Sequence, residues 1–420
     1  VIGQYLSLLV KQEDITRRRE DIKKNPKKNF LSYQPVTLER SHINTDDQIN
    51  SIFDDYCVTD KADGERHLMF IDSKGDIYYI NDRFKITKTS IRSEKYKNTL
   101  MDGELITQDN YTNKINDFMA FDLYFMNRID QRSKPFISTE TDTRHGLLKT
   151  IIDGINNDDV NKDVLKTKKI KIKQFYQADS TSNILKIAFD KIWGKKVGIQ
   201  YHTDGLIFQP MSLPVGASST NDKVDYRTFS KTWSKVYKWK PPEENTVDML
   251  TKFDKFSQTQ SNLTCKLYVN DNLPLVVSPL SILQSGKNAE ITQKSSELIF
   301  ATISLPIKEF NGVMGIHTEE NPPRKISSYD IVEYKFDEDK KTWQPYRIRD
   351  DKTQQYKITK SIKGTANAIT TARSVLQTIK YPVDEDMLKG DTKVTNSDLP
   401  SGDDVYYARA VNREQLYSKP

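Results

Sequence analysis

Cys57 and Cys265 are the only cysteines in 420 residues. So few exclude a disulfide scaffold and point to a reducing compartment, and neither has the spacing of a zinc site. Both read as small buried or half-buried residues. Long apolar runs are missing too. None approaches the ~18–20 residues that a membrane-spanning helix requires, and no signal peptide opens the chain. The chain starts Val1-Ile2-Gly3, without methionine, and reads as a fragment of a longer polypeptide. It has no internal repeat.

What is present is enough for real cores. A hydrophobic content of 36% over this length accommodates two or three domains. The net charge of +6 is modest but uneven. Arg17, Arg18, Arg19, Lys23, Lys24, Lys27 and Lys28 form one cluster, and Lys162, Lys166, Lys168, Lys169, Lys171 and Lys173 another. Each reads either as a solvated surface or as a footprint for an anionic partner such as RNA.

The pattern along the chain is mixed. Residues 1–30 read as helical and then basic, an N-terminal arm ending near Asn25-Pro26. From 31 to 242 strand and helix alternate, with strand-like runs at Ile77–Ile80, Phe118–Phe125 and Leu206–Gln209. A helix is expected at Ser182–Trp193, where Ile184, Leu185, Ala188, Phe189, Ile192 and Trp193 keep helical spacing. Pro241-Pro242 marks a boundary. Residues 243–362 then read as short strands, including Thr264–Val269, Leu298–Leu305 and Ile331–Phe336, which suit a small β-barrel. Residues 363–420 hold a helix at Ala368–Lys380, with Ile369, Ala372, Val375, Leu376 and Ile379 on one packing face, then a polar linker from Lys389 to Ser401.

One run concentrates chemistry. Lys61-Ala62-Asp63-Gly64-Glu65-Arg66 lies between two apolar stretches and reads as strand, tight turn, strand, with Gly64 permitting the turn and Lys61 held at it. A held lysine can be a nucleophile once neutral. From an ordinary pKa near 10.4, deprotonating a lysine at pH 7 costs about 4.6 kcal/mol, which nearby cations or a metal can offset. Two further acid–glycine turns are expected at Asp102-Gly103-Glu104 and Asp204-Gly205, and carboxylates there can hold Mg²⁺ or Mn²⁺ against phosphate oxygens. In Lys238-Trp239-Lys240, strand alternation puts both lysines on one face, where a phosphate between them would relieve their repulsion. Arg347 and Arg349 are expected to share another strand face, suited to bidentate phosphate contacts, or else to form a surface ladder with Asp350 and Asp351.

These elements, in this order, resemble the covalent nucleotidyltransferases, which comprise the mRNA capping guanylyltransferases and the polynucleotide ligases. The run is Lys61–Arg66, Asp102–Glu104, Phe121-Asp122, Asp204–Phe208, Lys238–Lys240 and Arg347–Lys352. Lys238-Trp239-Lys240-Pro241 with Asn245-Thr246-Val247-Asp248, Trp343 ahead of Arg347, and Ile80-Asn81-Asp82-Arg83 resemble the capping guanylyltransferases most. Ala366–Pro382 is similar to the segment leading into the methyltransferase part of multifunctional capping enzymes of large cytoplasmic DNA viruses.

The resemblance implies an α+β fold: a nucleotidyltransferase domain of antiparallel sheets flanked by helices, followed by an OB-fold barrel. It implies that Lys61 attacks the α-phosphate of GTP to form a lysine–GMP phosphoramidate, and that the 5′-diphosphate end of RNA then takes the GMP to form the cap. Catalytic residues would be Lys61, Asp63, Lys238 and Lys240. Arg66 and Arg83 match ribose-binding arginines, and Phe121 matches the aromatic that stacks on guanine. Glu104 matches a ribose or metal contact, and Asp204 the carboxylate for Mg²⁺ or Mn²⁺. Lys238 and Lys240 match α-phosphate contacts. Arg347, Arg349, Asp351 and Lys352 match nucleotide-binding groups of the barrel, which would close over GTP and open to admit RNA. Implied partners are GTP, RNA and triphosphatase and methyltransferase domains of the same polypeptide or a partner subunit, with no membrane. The implied location is cytoplasmic, a viral factory or virion if viral. The glutamate-rich strand pair of tunnel triphosphatases and the glycine-rich methyl-donor signature are both missing here. An ATP-dependent DNA or RNA ligase on the same scaffold and a non-catalytic RNA-binding module are the alternatives. The base-contacting residues that would choose GTP over ATP are not legible.

Overall fold

Apolar alternation becomes strand in both halves of this chain in the computed structural model. The structure describes residues 1–46, 51–140, 142–194, 199–225, 229–254, 261–271, 296–337 and 339–400. They divide into two units, Val1–Lys240 with Asp384–Asn396, and Pro241–Val383 with the chain from Ser397.

The first unit holds β1 (Ser32–Thr37), β2 (Tyr56–Ala62), β3 (Glu65–Ile71), β4 (Asp76–Asn81), β5 (Ile86–Arg92), β6 (Thr99–Gln108), β7 (Lys114–Met126), β8 (Ile129–Asp130), β9 (Ile170–Ile172), β10 (Tyr176–Gln177), β11 (Thr203–Pro210) and β12 (Ser230–Trp239). One sheet runs β1-β12-β11-β2-β10, and the other β5-β4-β3-β6-β7-β8 with β9 on β7. Pairing is antiparallel except for β1 with β12 and β9 with β7.

β3 reads as an unbroken apolar run because both of its faces are covered. Leu68 and Phe70 face one core, and Met69 and Ile71 face the other. The second core is closed by the helix Arg144–Asn156, which presents Leu148, Ile151, Ile152 and Ile155 and is capped by the Thr143 side chain. The first core is closed by the N-terminal helices. Tyr5, Leu6, Leu9, Ile15 and Ile22 are buried there with Phe30, Phe70 and Leu100, so residues 1–30 are part of this unit and not a separate arm. The helix expected at Ser182–Trp193 is an α-turn, Ile184–Ile187, continuing as a π-helix, Ala188–Trp193.

The second unit holds β13 (Thr246–Phe253), β14 (Asn262–Asp271), β15 (Ser296–Pro306), β16 (Lys308–Phe310), β17 (Val313–Gly315), β18 (Ile331–Asp337) and β19 (Thr342–Ile348). Its antiparallel sheet runs β15-β14-β13-β18-β19, with β16 and β17 as a separate hairpin. Among the described residues nothing pairs β15 with β19, so the sheet is open and the closed barrel expected from the sequence is not shown. The stripe on the helix Ile369–Lys380 packs into this unit's core, beside Val247 and Met249. The chain beyond it is no free linker. Met387, Leu388 and Val394 are buried, and the Thr45 amide donates to the Val394 carbonyl at 2.9 Å within the first unit. Ser401 lies outside the described residues.

Candidate active site

Lys61 and Arg66 are five residues apart, but they sit on different sheets. β2 belongs to the first sheet and β3 to the second, so Asp63-Gly64 is a crossover and not the hairpin that the sequence suggests. The sheets face each other across a cavity of about 250 Å³. One wall carries Lys61, Thr59, Gln209 and Pro35; the other carries Arg66, Glu104, Phe121 and Tyr124. Lys173, two residues before Phe175, also lines it. Gly64 is needed for close approach: a Cβ there would lie 2.7 Å from Cγ of Glu104 and 2.9 Å from the Leu105 carbonyl oxygen.

Lys61 Nζ donates to Asp204 Oδ1 at 2.7 Å, and Lys240 Nζ approaches Asp204 Oδ2 at 2.6 Å. Burial alone would raise the Asp204 carboxyl, but Lys61 and Lys240 outweigh it and hold the group below the ordinary aspartate range. Register sets this up, since Gly205 of β11 faces Lys61 of β2 and Leu206 faces Trp239 of β12. Lys238 and Lys240 flank the buried Trp239, but β12 ends at Trp239, so Lys240 lies just beyond the strand whose face it was expected to share. Lys238 is half-buried, and among the described residues its side chain has no ion-pair or hydrogen-bond partner. Burial, then Lys61 and Lys240, depress its pKa.

On the opposite wall Arg66 donates to both carboxylate oxygens of Asp102, from Nε at 3.0 Å and Nη2 at 2.5 Å, and to the Tyr33 carbonyl at 2.9 Å. Its guanidinium lies 5.6 Å from the Phe121 ring centroid. Asp102-Gly103-Glu104 is mid-strand in β6, not a turn, so Asp102 is a buried anchor for Arg66 and Tyr124. Asp204-Gly205 likewise lies within β11. Glu104 is pushed up to about 7 by burial, against the pull of Lys173, Arg66 and Lys61. Behind Phe121, buried Asp122 accepts from Arg144 Nε at 2.8 Å.

Asp63 is exposed in the crossover, and Arg83 is exposed in the turn after β4; neither lines the cavity. In the second unit, Arg347 Nε donates to Glu333 Oε2 at 2.5 Å. β19 stops at Ile348, so Arg349 does not share the strand face expected for it. It precedes the helix Asp350–Thr359, and its Nη1 donates to Asp248 Oδ2 at 2.8 Å. Lys352, in that helix's first turn, pairs with the same oxygen. Asp351 lies 3.8 Å from Arg349 Nε, and Asp350 is held by Arg324.

Among the described residues no cluster of three His, Cys, Asp or Glu side chains could hold a metal ion, and Asp204 is already engaged by two lysines. A protein-only cage does not fit. A Mg²⁺-like ion held by one or two carboxylates and shared with substrate phosphates does.

The family model for the mRNA capping enzyme catalytic domain matches residues 8–242, and that for the mRNA capping enzyme C-terminal domain matches 244–389. The chain belongs to the mRNA capping enzyme family. Relatives within the family include a probable mRNA-capping enzyme of Acanthamoeba polyphaga mimivirus, 27% identical over 88% of this chain and 34% of its own. The mRNA-capping enzyme of Caenorhabditis elegans is 28% identical over 58% of this chain and 37% of its own. The mRNA-capping enzyme subunit alpha of Yarrowia lipolytica is 26% identical over 86% of this chain and 81% of its own. This chain therefore spans about a third of the mimivirus and nematode proteins. The solved ATP-dependent DNA ligase of bacteriophage T7, 15% identical, aligns over 59% of this chain and 78% of its own with a TM-score of 0.30, too low to bear on the fold.

Sequence reading missed three groups, two that line this cavity and one in the second unit. Lys173 belongs to a lysine cluster that read as surface, yet it is buried, with Nζ 2.5 Å from the Asp60 carbonyl and 3.0 Å from its carboxylate. Gln209 closes the expected strand Leu206–Gln209 and turns its amide inward; Nε2 is buried without a partner. Asp248 stood in the Asn245-Thr246-Val247-Asp248 junction with no role. The alternating apolar residues around all three are what a sequence reader sees first.

Proposed function

We propose that this chain transfers GMP from GTP, through a covalent lysine–GMP, to the 5′-diphosphate end of RNA. One observation carries the reading: the Lys61 amine is fixed by Asp204 at the wall of a cavity that holds an aromatic face, Phe121, and the cations Arg66 and Lys173. In the first step Lys61 Nζ, deprotonated to the neutral amine, attacks the α-phosphorus; the N–P bond forms as the nitrogen gives up a further proton to solvent, the bond to the bridging oxygen breaks, and pyrophosphate leaves. In the second, a β-phosphate oxygen of RNA attacks, the P–N bond breaks, and the amine recovers its proton. Lys238 supports this role, since an unpaired ammonium crowded by Lys61 and Lys240 gains from a phosphate placed among them. A divalent ion bound with the phosphates would neutralise charge on them, with Asp204 and Glu104 as its protein ligands. Phe121 offers a flat face for a base. Lys173 is a donor suited to the O6 and N7 acceptors of guanine, where adenine presents an amino group instead. Arg66, bound to Asp102, is the ribose contact of this reading, with Arg83 and Asp63 at its edge.

We assign the five-stranded sheet of the second unit to the OB class, on strand number and the capping C-terminal domain match. Triphosphatase and methyltransferase activities belong to the same reading as further domains, because this chain spans only part of the mimivirus relative. Incubation with α-labelled GTP or ATP and Mg²⁺ or Mn²⁺, followed by denaturation, tests it. Label retained from GTP and lost in Lys61→Ala is the expected result. Label from ATP alone would overturn it in favour of a ligase.

A further inference from the structure

The basic stretch at the N-terminus is not accounted for by the site. Between Ile15 and Asn29 stand seven lysines and arginines against two acids, a surplus of five in a chain whose whole surplus is six. Most of such a run is ordinarily solvated, and part of this one is structural. Arg17 is paired with Asp14, Arg18 lies over the Phe229 ring at 4.7 Å, and Lys27 is 3.3 Å from Asp82. Arg19, Lys23, Lys24 and Lys28 remain exposed, with no carboxylate or hydrogen-bond partner among the described residues. Thr16, Arg19 and Lys23 follow one another at three- and four-residue spacing on the helix Ile15–Lys24, so they share a face.

That face opens on a cavity of about 580 Å³ between the helices Ile2–Leu9 and Ile15–Lys24. Arg19 and Arg128 line it together with Ser7, Gln12 and Thr16, and no carboxylate does among the described residues. Arg128 also lacks a side-chain partner among them. Two unpaired guanidiniums beside hydroxyls and amides make a surface for phosphate oxygens. The cations continue along the helix with about 6 Å of rise from residue 19 to 23. The stretch also ends close to the reaction. β1 follows it, and Tyr33, Gln34 and Pro35 line the active cavity. Tyr33 is five positions after Lys28, at most about 18 Å of chain.

We infer that Arg19, Lys23, Lys24, Lys28 and Arg128 form a track for the phosphate backbone of the acceptor RNA, a few nucleotides downstream of its 5′ end. The inference rests on the proposed transfer to RNA but uses none of its catalytic groups. Its recognition is of charge, not sequence.

The test compares the wild-type 420-residue chain with a variant carrying Arg19→Ala, Lys23→Ala, Lys24→Ala and Lys28→Ala. Lysine–GMP formation from GTP is read first and is expected to be unchanged, which separates failure of the function from failure of the track. Binding of a 20-nucleotide 5′-diphosphate RNA, read by fluorescence anisotropy, is expected to weaken about tenfold or more at low salt. The slope of log affinity against log salt should fall by about 3, at about 0.7 per lost phosphate contact. Transfer of GMP to that RNA should show a raised KM, and transfer to a 5′-diphosphate dinucleotide should not change. A variant with Arg19→Lys, Lys23→Arg, Lys24→Arg and Lys28→Arg should retain binding. Equal behaviour of the Ala variant and wild type on the long RNA would overturn the inference. So would an unchanged RNA affinity accompanied by lost binding of a poly-glutamate peptide, which would assign the face to an acidic protein.

Discussion

Gln209 presents a buried amide Nε2 with no hydrogen-bond partner among the described residues, in the cavity that Lys61 lines. A buried donor left unmade costs about 1–3 kcal/mol, and a nucleobase acceptor would recover it. Two effects of opposite sign follow. Gln209→Met should raise the unfolding free energy of the ligand-free protein by about 1 kcal/mol, measured in urea, while weakening GTP binding about tenfold by calorimetry. A variant that weakens binding and also destabilises would show that the amide is satisfied in the free protein. Glu104 gives a second residue-scale test. Its carboxyl is pushed up to about 7 by burial, whereas an unfolded glutamate titrates near 4.5. Between those two values the folded state keeps a proton that the unfolded state has lost. Stability from this group is therefore full below about pH 4.5, falls by about 3 kcal/mol as pH rises to 7, and is level above. Glu104→Gln lacks that fall. Relative to wild type it should gain about 3 kcal/mol between pH 4.5 and 8 in denaturant titrations, while lysine–GMP labelling declines.

At the scale of elements, the site depends on how closely β11, β12 and β2 approach. A Cβ on Gly205 would lie 2.0 Å from the Trp239 carbonyl oxygen, so only glycine lets β11 run beside β12 at that point. Asp204 and Lys240 are the neighbours of those two residues, and their 2.6 Å contact holds the Lys61 partner in place. Gly205→Ala should cost about 1–3 kcal/mol by denaturation and, by spreading the strands, reduce labelling of Lys61 about a hundredfold. Labelling at the wild-type rate would mean that Asp204 does not position the amine. The residues of this motif were legible in the sequence because their order is fixed. Their setting was not. Lys61–Arg66 read as one hairpin, but a two-residue connection is equally able to cross between sheets, and local sequence carries no sign of which partner a strand takes. Acid–glycine pairs read as turns for the same reason, although Asp102 and Asp204 are both within strands.

The division of the whole molecule was partly written in Pro241-Pro242, since paired prolines stop a strand. That Asp384–Asn396 returns to the first unit was not, because its anchors, Met387, Leu388 and Val394, are three apolar residues in a polar stretch. Nor does sequence say what the cations of the second unit do at rest. Arg349 and Lys352 both lean on Asp248, whose other oxygen is buried and unpartnered, and Arg347 leans on Glu333. With Asp351 3.8 Å from Arg349, two carboxylates balance the two cations at rest, and on the proposed reaction the cations would turn to the phosphate oxygens that bear more charge as pyrophosphate departs. On the proposed reaction this assists only the first step, because the second releases no pyrophosphate. Arg349→Ala with Lys352→Ala should therefore slow lysine–GMP formation from GTP about a hundredfold. Transfer to RNA from lysine–GMP that has already formed and been freed of GTP should keep its rate, read by single-turnover quench. Unequal loss in the two steps assigns these cations to the leaving group. Equal loss in both would instead make them structural supports of the helix Asp350–Thr359, and the same variant's unfolding curve would show it.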